Sequence, residues 1–131
     1  MNILKPIDIE EETRVALKDH LQAYCRPLPE KFTTPCVLIS ATGGNSSNTI
    51  DTFTVTLDAR AETASAAYDT LTTALGILEQ QVAHQTGNLR HITINSLANW
   101  GTDPVRPDLK LCTATVLITC HRVPITISEE S

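Results

Sequence analysis

Between Glu62 and Gln85, the residues Ala64, Ala67, Tyr68, Leu71, Ala74, Leu75, Leu78 and Val82 recur at spacings of three and four. That is the period of a helix that buries one stripe. An alanine-rich stripe of this length calls for a broad apolar partner that can approach closely, and a β-sheet supplies one. The rest of the chain should therefore provide strands. Gly87 and Asn88 supply a left-handed stop just past the helix.

Strands are read from alternation. Phe53, Val55 and Leu57 alternate with Thr52, Thr54, Thr56 and Asp58, giving one apolar and one hydroxyl-rich face. Cys112, Ala114, Val116, Ile118 and Cys120 alternate with Thr113, Thr115, Leu117 and Thr119 in the longest predicted strand. Ile92 and Ile94 alternate with Thr93 and Asn95. Cys36-Val37-Leu38-Ile39-Ser40, bounded by Pro35 and Gly43-Gly44, reads as a short strand buried on both sides. Residues 41–48 read as a flexible link that joins it to the next strand in an antiparallel hairpin.

An earlier helix, about residues 8–24, opens at Asp8 with Glu11 in capping-box form and carries Leu17, Leu21 and Tyr24 on one face. Pro27 and Pro29 end it, leaving residues 25–35 as a stiff connection. Residues 98–109 read as a second loop. The order helix, strand, strand, helix, strand, strand predicts a single two-layer α+β domain over residues 1–122. Its sheet is mainly antiparallel, with about four strands, both helices on one face and a threonine-rich face uncovered. Residues 123–131 form a C-terminal extension. Its alternation at Val123, Ile125 and Ile127 predicts either an arm that adds to a neighbour's sheet edge or a frayed end.

Composition narrows function. A chain of 131 residues, 41% of them hydrophobic, fits one domain. With five aromatics (Tyr24, Phe32, Phe53, Tyr68, Trp100) the core must be aliphatic, and aromatic-lined pockets are disfavoured. A net charge of -5 without a basic run argues against gripping nucleic acid by counterion release. The opening residues, Met1 to Pro6, lack the apolar core of a secretory signal, and no segment approaches ~18 consecutive apolar residues. The expectation is a soluble protein made in the cytoplasm, without a membrane partner.

The chemistry-bearing residues do not assemble into a motif. His20, His84, His91, His121 and the four cysteines lack any close ligand pair, so no metal is expected. Cys112 and Cys120 lie eight residues apart on one predicted strand. At ~3.4 Å per residue they are about 27 Å apart and cannot bond to each other. Cys120 and His121 face opposite sides of that strand and cannot act as thiolate and base. Gly43-Gly44-Asn45-Ser46-Ser47 lacks the lysine of a phosphate loop and leads into a strand. Asp8, Glu10, Glu11 and Glu12 serve the positive end of the first helix. No enzyme activity and no cofactor are expected. Trp100 lies in a predicted loop, where it either anchors an interface or plugs the core. Gly43, Gly44, Asn45, Trp100, Ile125 and Ile127 are the candidate interface residues.

The whole arrangement resembles the tail terminator (tail completion) proteins of long-tailed bacteriophages. The likeness spans about residues 8–122. It consists of a capped first helix, the Pro35-Cys36-Val37-Leu38-Ile39 strand leading to Gly43-Gly44, a threonine-rich strand, an alanine-rich helix and a long last strand after a proline-bearing loop. The cysteines and the Pro124-containing extension depart from the pattern. The resemblance implies a non-enzymatic ring, typically hexameric, that caps the tail tube, ends tail polymerisation and joins the head connector or neck proteins. It implies assembly in the host cytoplasm, residence in the virion tail, and DNA that passes through without specific binding, for which an acidic subunit is suited. The alternatives are a small α+β ligand-binding or enzyme module and another head-tail neck completion protein.

Overall fold

The computed structural model describes residues 1–47, 50–85 and 87–128. In chain order its elements are β1 (Asn2–Lys5), α1 (Ile9–Leu17), β2 (Ala23–Cys25), β3 (Cys36–Ser47), β4 (Ile50–Ala61), α2 (Ala64–Ala83), β5 (Leu89–Thr102), β6 (Lys110–His121) and β7 (Val123–Thr126). A five-stranded sheet runs β2-β3-β4-β6-β5, and β1 pairs with β7 in a separate two-stranded ribbon. Among the described residues only the β2–β3 pairing is parallel.

This corrects the expected fold class. About 49% of the described residues are strand and 23% helix, so this part of the chain is mostly β, and its seven strands in two sheets replace the four-strand α-β-β-α-β-β arrangement. The three added strands, β1, β2 and β7, are three or four residues long. β1 and β2 are defined by backbone partners elsewhere in the chain and carry no alternation of their own, whereas the alternation at Val123 and Ile125 marks β7 without naming β1 as its partner. The first helix ends at Leu17 and does not reach residue 24: the N–H groups of His20 and Leu21 both turn back to the Leu17 carbonyl. Ala23-Tyr24-Cys25 then lies against Val37-Leu38-Ile39.

The expected links at 41–48 and 98–109 shrink because the flanking strands extend into them. β3 continues to Ser47 in register with β4, and β5 continues to Thr102 in register with β6. Asn48, the last residue of the expected hairpin link, lies outside the described residues, as do Glu129, Glu130 and Ser131 of the extension.

The core forms where the sheet's inner face meets the helices. Val55, Leu57, Ala59 and Ala61 of β4 and Cys112, Ala114, Val116, Ile118 and Cys120 of β6 are buried beneath α2. Ala67, Leu71, Ala74, Leu75 and Leu78 meet them from the helix. Alanine on both surfaces keeps helix and sheet close. Thr63 caps α2 by accepting the Ala66 N–H at 3.1 Å, and Asp8 caps α1 by accepting the Glu11 N–H at 3.3 Å. α1 covers the β2–β3 side.

No described element covers most of the outer face, where Thr52, Thr54, Thr56, Thr113, Thr115 and Thr119 remain half-buried. At one end of that face Arg60 reaches Asp103 at 3.0 Å and Asp58 at 3.5 Å, which ties the β5–β6 connection down. Two backbone N–H groups, from Val105 and Arg106, also donate to Asp103.

Candidate interaction surfaces

The sheet has two opposite corners of interest, both on the helix-bearing side. The first lies on the edge strand β5. Its ladder with β6 is interrupted between Ser96 and Asn99, where Leu97 and Ala98 together stand opposite one partner position. Ala98 takes a positive φ of 62°, a conformation strained for a residue with a Cβ. Such a bulge re-aims neighbouring side chains. Ala98 packs toward the core, and Leu97 is exposed. Trp100 follows in register with Cys112, on the helix side of the sheet. Its ring stacks on Tyr68 of α2 with centroids 5.7 Å apart and planes 20° from parallel. Trp100 remains 55% exposed and Tyr68 41%, so the pair stands outside the core and does not plug it.

The second corner is a groove of about 480 Å³ where the β3–β4 hairpin runs past the start of α1. Pro6, Ile9, Ala41 and Phe53 give it an apolar lining. Gly43, Gly44 and Asn45 line it too, as strand residues and not as a mobile tip. Gly43 follows a bulge and takes φ 142°, a region that favours glycine. Gly44 is required for a different reason. A Cβ there would collide with the Thr52 carbonyl and the Phe53 Cα on β4.

One rim of this groove is a polar clamp. Arg122, between β6 and β7, sets its guanidinium on both oxygens of Asp51 at 3.2–3.4 Å and on the Ser46 hydroxyl. Asp51 points to the helix side at the start of β4, and its side chain is 5% exposed. Hydrogen bonds from Arg122 and then from Ser46 hold its carboxyl below the usual carboxylate range. The clamp ties the hairpin to the root of the terminal ribbon.

That ribbon carries the last candidates. Ile125 pairs with Ile3, and the Ile127 N–H donates to the Met1 carbonyl at 2.7 Å. Residues 123–127 of the extension therefore lie on the chain's own N-terminus, where the expectation was a neighbour's sheet edge or fraying. Ile125 and Val123 face a second shallow hollow beside Ile7, while Ile127 and Leu4 are exposed.

Of the six expected interface residues, the structure brings Gly43, Gly44 and Asn45 together, and it places Trp100 at the other corner and Ile125 and Ile127 on the ribbon. Sequence reasoning missed four partners. Tyr68 shares the periodicity of buried residues, and Leu97 is displaced by a bulge without a local marker. Asp51 and Arg122 are far apart in sequence and meet only through the sheet.

The remaining chemistry is quiet. All four cysteines carry free thiols. Burial pushes the Cys36 and Cys120 thiols up to about 11, so both are protonated near neutrality and unsuited to attack. Among the described residues no group of three His, Cys, Asp or Glu could hold a metal ion. No described helix is long and apolar enough to cross a membrane. A scan against protein-family models and a search of curated proteins return no match.

Proposed function

We propose that this is an assembly protein, acting through contact with other protein surfaces and not through bond-making chemistry. Within that class we propose a tail terminator of a long-tailed bacteriophage. Copies would form a ring that caps the tail tube protein, ends tail polymerisation and presents a surface to the head connector. The reading places the protein in the virion tail after assembly in the host cytoplasm.

One observation carries it. A single chain displays an exposed aromatic pair on an open sheet edge and, at the opposite corner, an apolar groove. Two different surfaces at separate places favour head-to-tail contacts, which close into rings when the rotation per subunit closes. The net charge of -5 suits a channel that DNA slides through, because acidic walls repel phosphate. A ligand-binding module would need polar groups that converge on open space. Here Arg122, Asp51 and Ser46 are turned on one another.

Native mass spectrometry with negative-stain electron microscopy tests this reading. A single closed subunit number and annular particles are expected, with binding to the ends of tail tubes when these are added. A monomer at every concentration, with or without tubes, contradicts it.

A further inference from the structure

We propose that the Tyr68–Trp100 pair of one copy seats in the groove between the β3–β4 hairpin and the start of α1 of the next copy. The inference rests on the ring reading above and specifies its contact.

The pair is costly to leave in water. The chain has five aromatics in all, and two of them stack on each other outside the core, on an edge strand that also exposes Leu97 and Ile94. Stacking fixes both rings before any partner arrives, so little side-chain entropy remains to be lost on contact. Leu97, exposed in the bulge at Ala98, lies three residues before Trp100 on the same edge strand. Trp and Tyr are the residues most enriched at the energetic centres of interfaces.

The groove answers in size and chemistry. Its volume of about 480 Å³ lies within the range of cavities that enclose a compact organic group, and Pro6, Ile9, Ala41 and Phe53 offer apolar walls. It cannot be filled by the pair of its own chain. Trp100 is level with Cys112, Ala59 and Val37 at one end of the sheet, on the β5 edge. Ser46 and Asp51 are level with Cys120 at the other end, on the β3–β4 side.

A second copy is the occupant because one chain carries both the unburied pair and the groove, and the β5 edge adds to the area. Aromatic side chains bury roughly 150–250 Å² each, so at 55% and 41% exposure the pair has about 140–240 Å² left to bury, roughly a quarter of the ~800 Å² per partner that a specific interface needs. The open edge of β5 lies beside it to supply the remainder. One contact covers both exposed surfaces, and repetition leaves none uncovered except at the ends of an open chain.

The test uses two variants of the full chain and their mixture, followed by sedimentation velocity and native mass spectrometry. Trp100→Ala removes the inserted group, and Ser46→Trp, at an exposed rim position level with Asp51 on the helix side, fills the groove without deleting core atoms. Each alone is expected to associate at least roughly tenfold more weakly than the unmodified protein while keeping its circular dichroism spectrum. Mixed, they are expected to form a one-to-one heterodimer and nothing larger, because the intact tryptophan of one fits the intact groove of the other. Tyr68→Ala serves as a second variant should Trp100→Ala lose its fold. If the unmodified protein forms a ring and the variants do as well, the proposed contact is wrong and the ring stands. If the unmodified protein never associates, the ring reading itself fails.

Discussion

At one end of the five-stranded sheet Arg60 meets Asp103, and at the other Arg122 meets Asp51. Both carboxylates are nearly shielded, with side chains 6% and 5% exposed, and each pair ties a connecting segment to the sheet. Their surroundings differ. Asp103 also accepts two backbone N–H bonds, and Arg60 is enclosed so tightly that its Nη1 lacks a hydrogen bond, although it lies 3.5 Å from Asp58. Arg122 is 25% exposed and borders an open groove. The same ion-pair chemistry thus closes one end of the molecule and frames an opening at the other. The lesson is that the surroundings decide the role, and the pairing alone does not.

Breaking each pair in turn should expose that difference. Asp103→Ala leaves Arg60 buried without its main partner and is expected to cost about 3–5 kcal/mol in a urea titration. Asp51→Ala is expected to cost less, about 1–3 kcal/mol, because solvent in the groove can reach Arg122. Equal losses would refute the contrast. Gly44→Ala, beside the second pair, should cost about 1–3 kcal/mol through the collision with β4. Trp100→Ala should lower the stability of the monomer by only about 0.5–1.5 kcal/mol, the worth of a stacked pair, since half of the ring is already in water.

Acid sharpens the comparison further. Burial raises the Asp103 carboxyl, but the N–H groups of Val105 and Arg106 and the Arg60 side chain outweigh it, so Asp103, like Asp51, sits below its ordinary value. A carboxylate depressed in the folded state contributes stability that is complete above the unfolded value of about 3.9. It is lost as the pH falls through the folded value, because the unfolded chain then binds more protons. The urea midpoint should therefore drop below about pH 4. Asp51→Asn and Asp103→Asn should each remove a part of that pH dependence.

Much of the layer arrangement was legible in the sequence. The alternation at residues 52–58 and 112–120 places Val55, Leu57, Ala114 and Val116 on the buried face, and the three-four spacing places Leu71, Ala74 and Leu78 against them. These signals are local, and local periodicity survives in tertiary structure when one face is buried throughout. Of the strands added at the periphery, β1 and β2 carry no such signal, and the alternation in β7 does not name its partner. Tyr24 continued the stripe of the first helix in sequence, yet its backbone lies in β2 beside Leu38.

The interaction surfaces were half legible. Glycines and a lone tryptophan outside regular patterns drew attention to both corners. The stacking partner Tyr68 was assigned to the core because helical spacing cannot distinguish a buried residue from one at the rim of the helix–sheet contact. Arg122 and Asp51 meet across a β4–β6 pairing that no window of sequence contains.

Hydrogen exchange followed by mass spectrometry, from submicromolar to high micromolar protein, tests the central claim most directly. If the two corners meet in neighbouring copies, amides around residues 94–100 and 41–46 should gain protection together, at the same concentration, while the threonine-rich strands β4 and β6 stay unchanged. Exchange independent of concentration at both corners, or protection at one corner only, would contradict it.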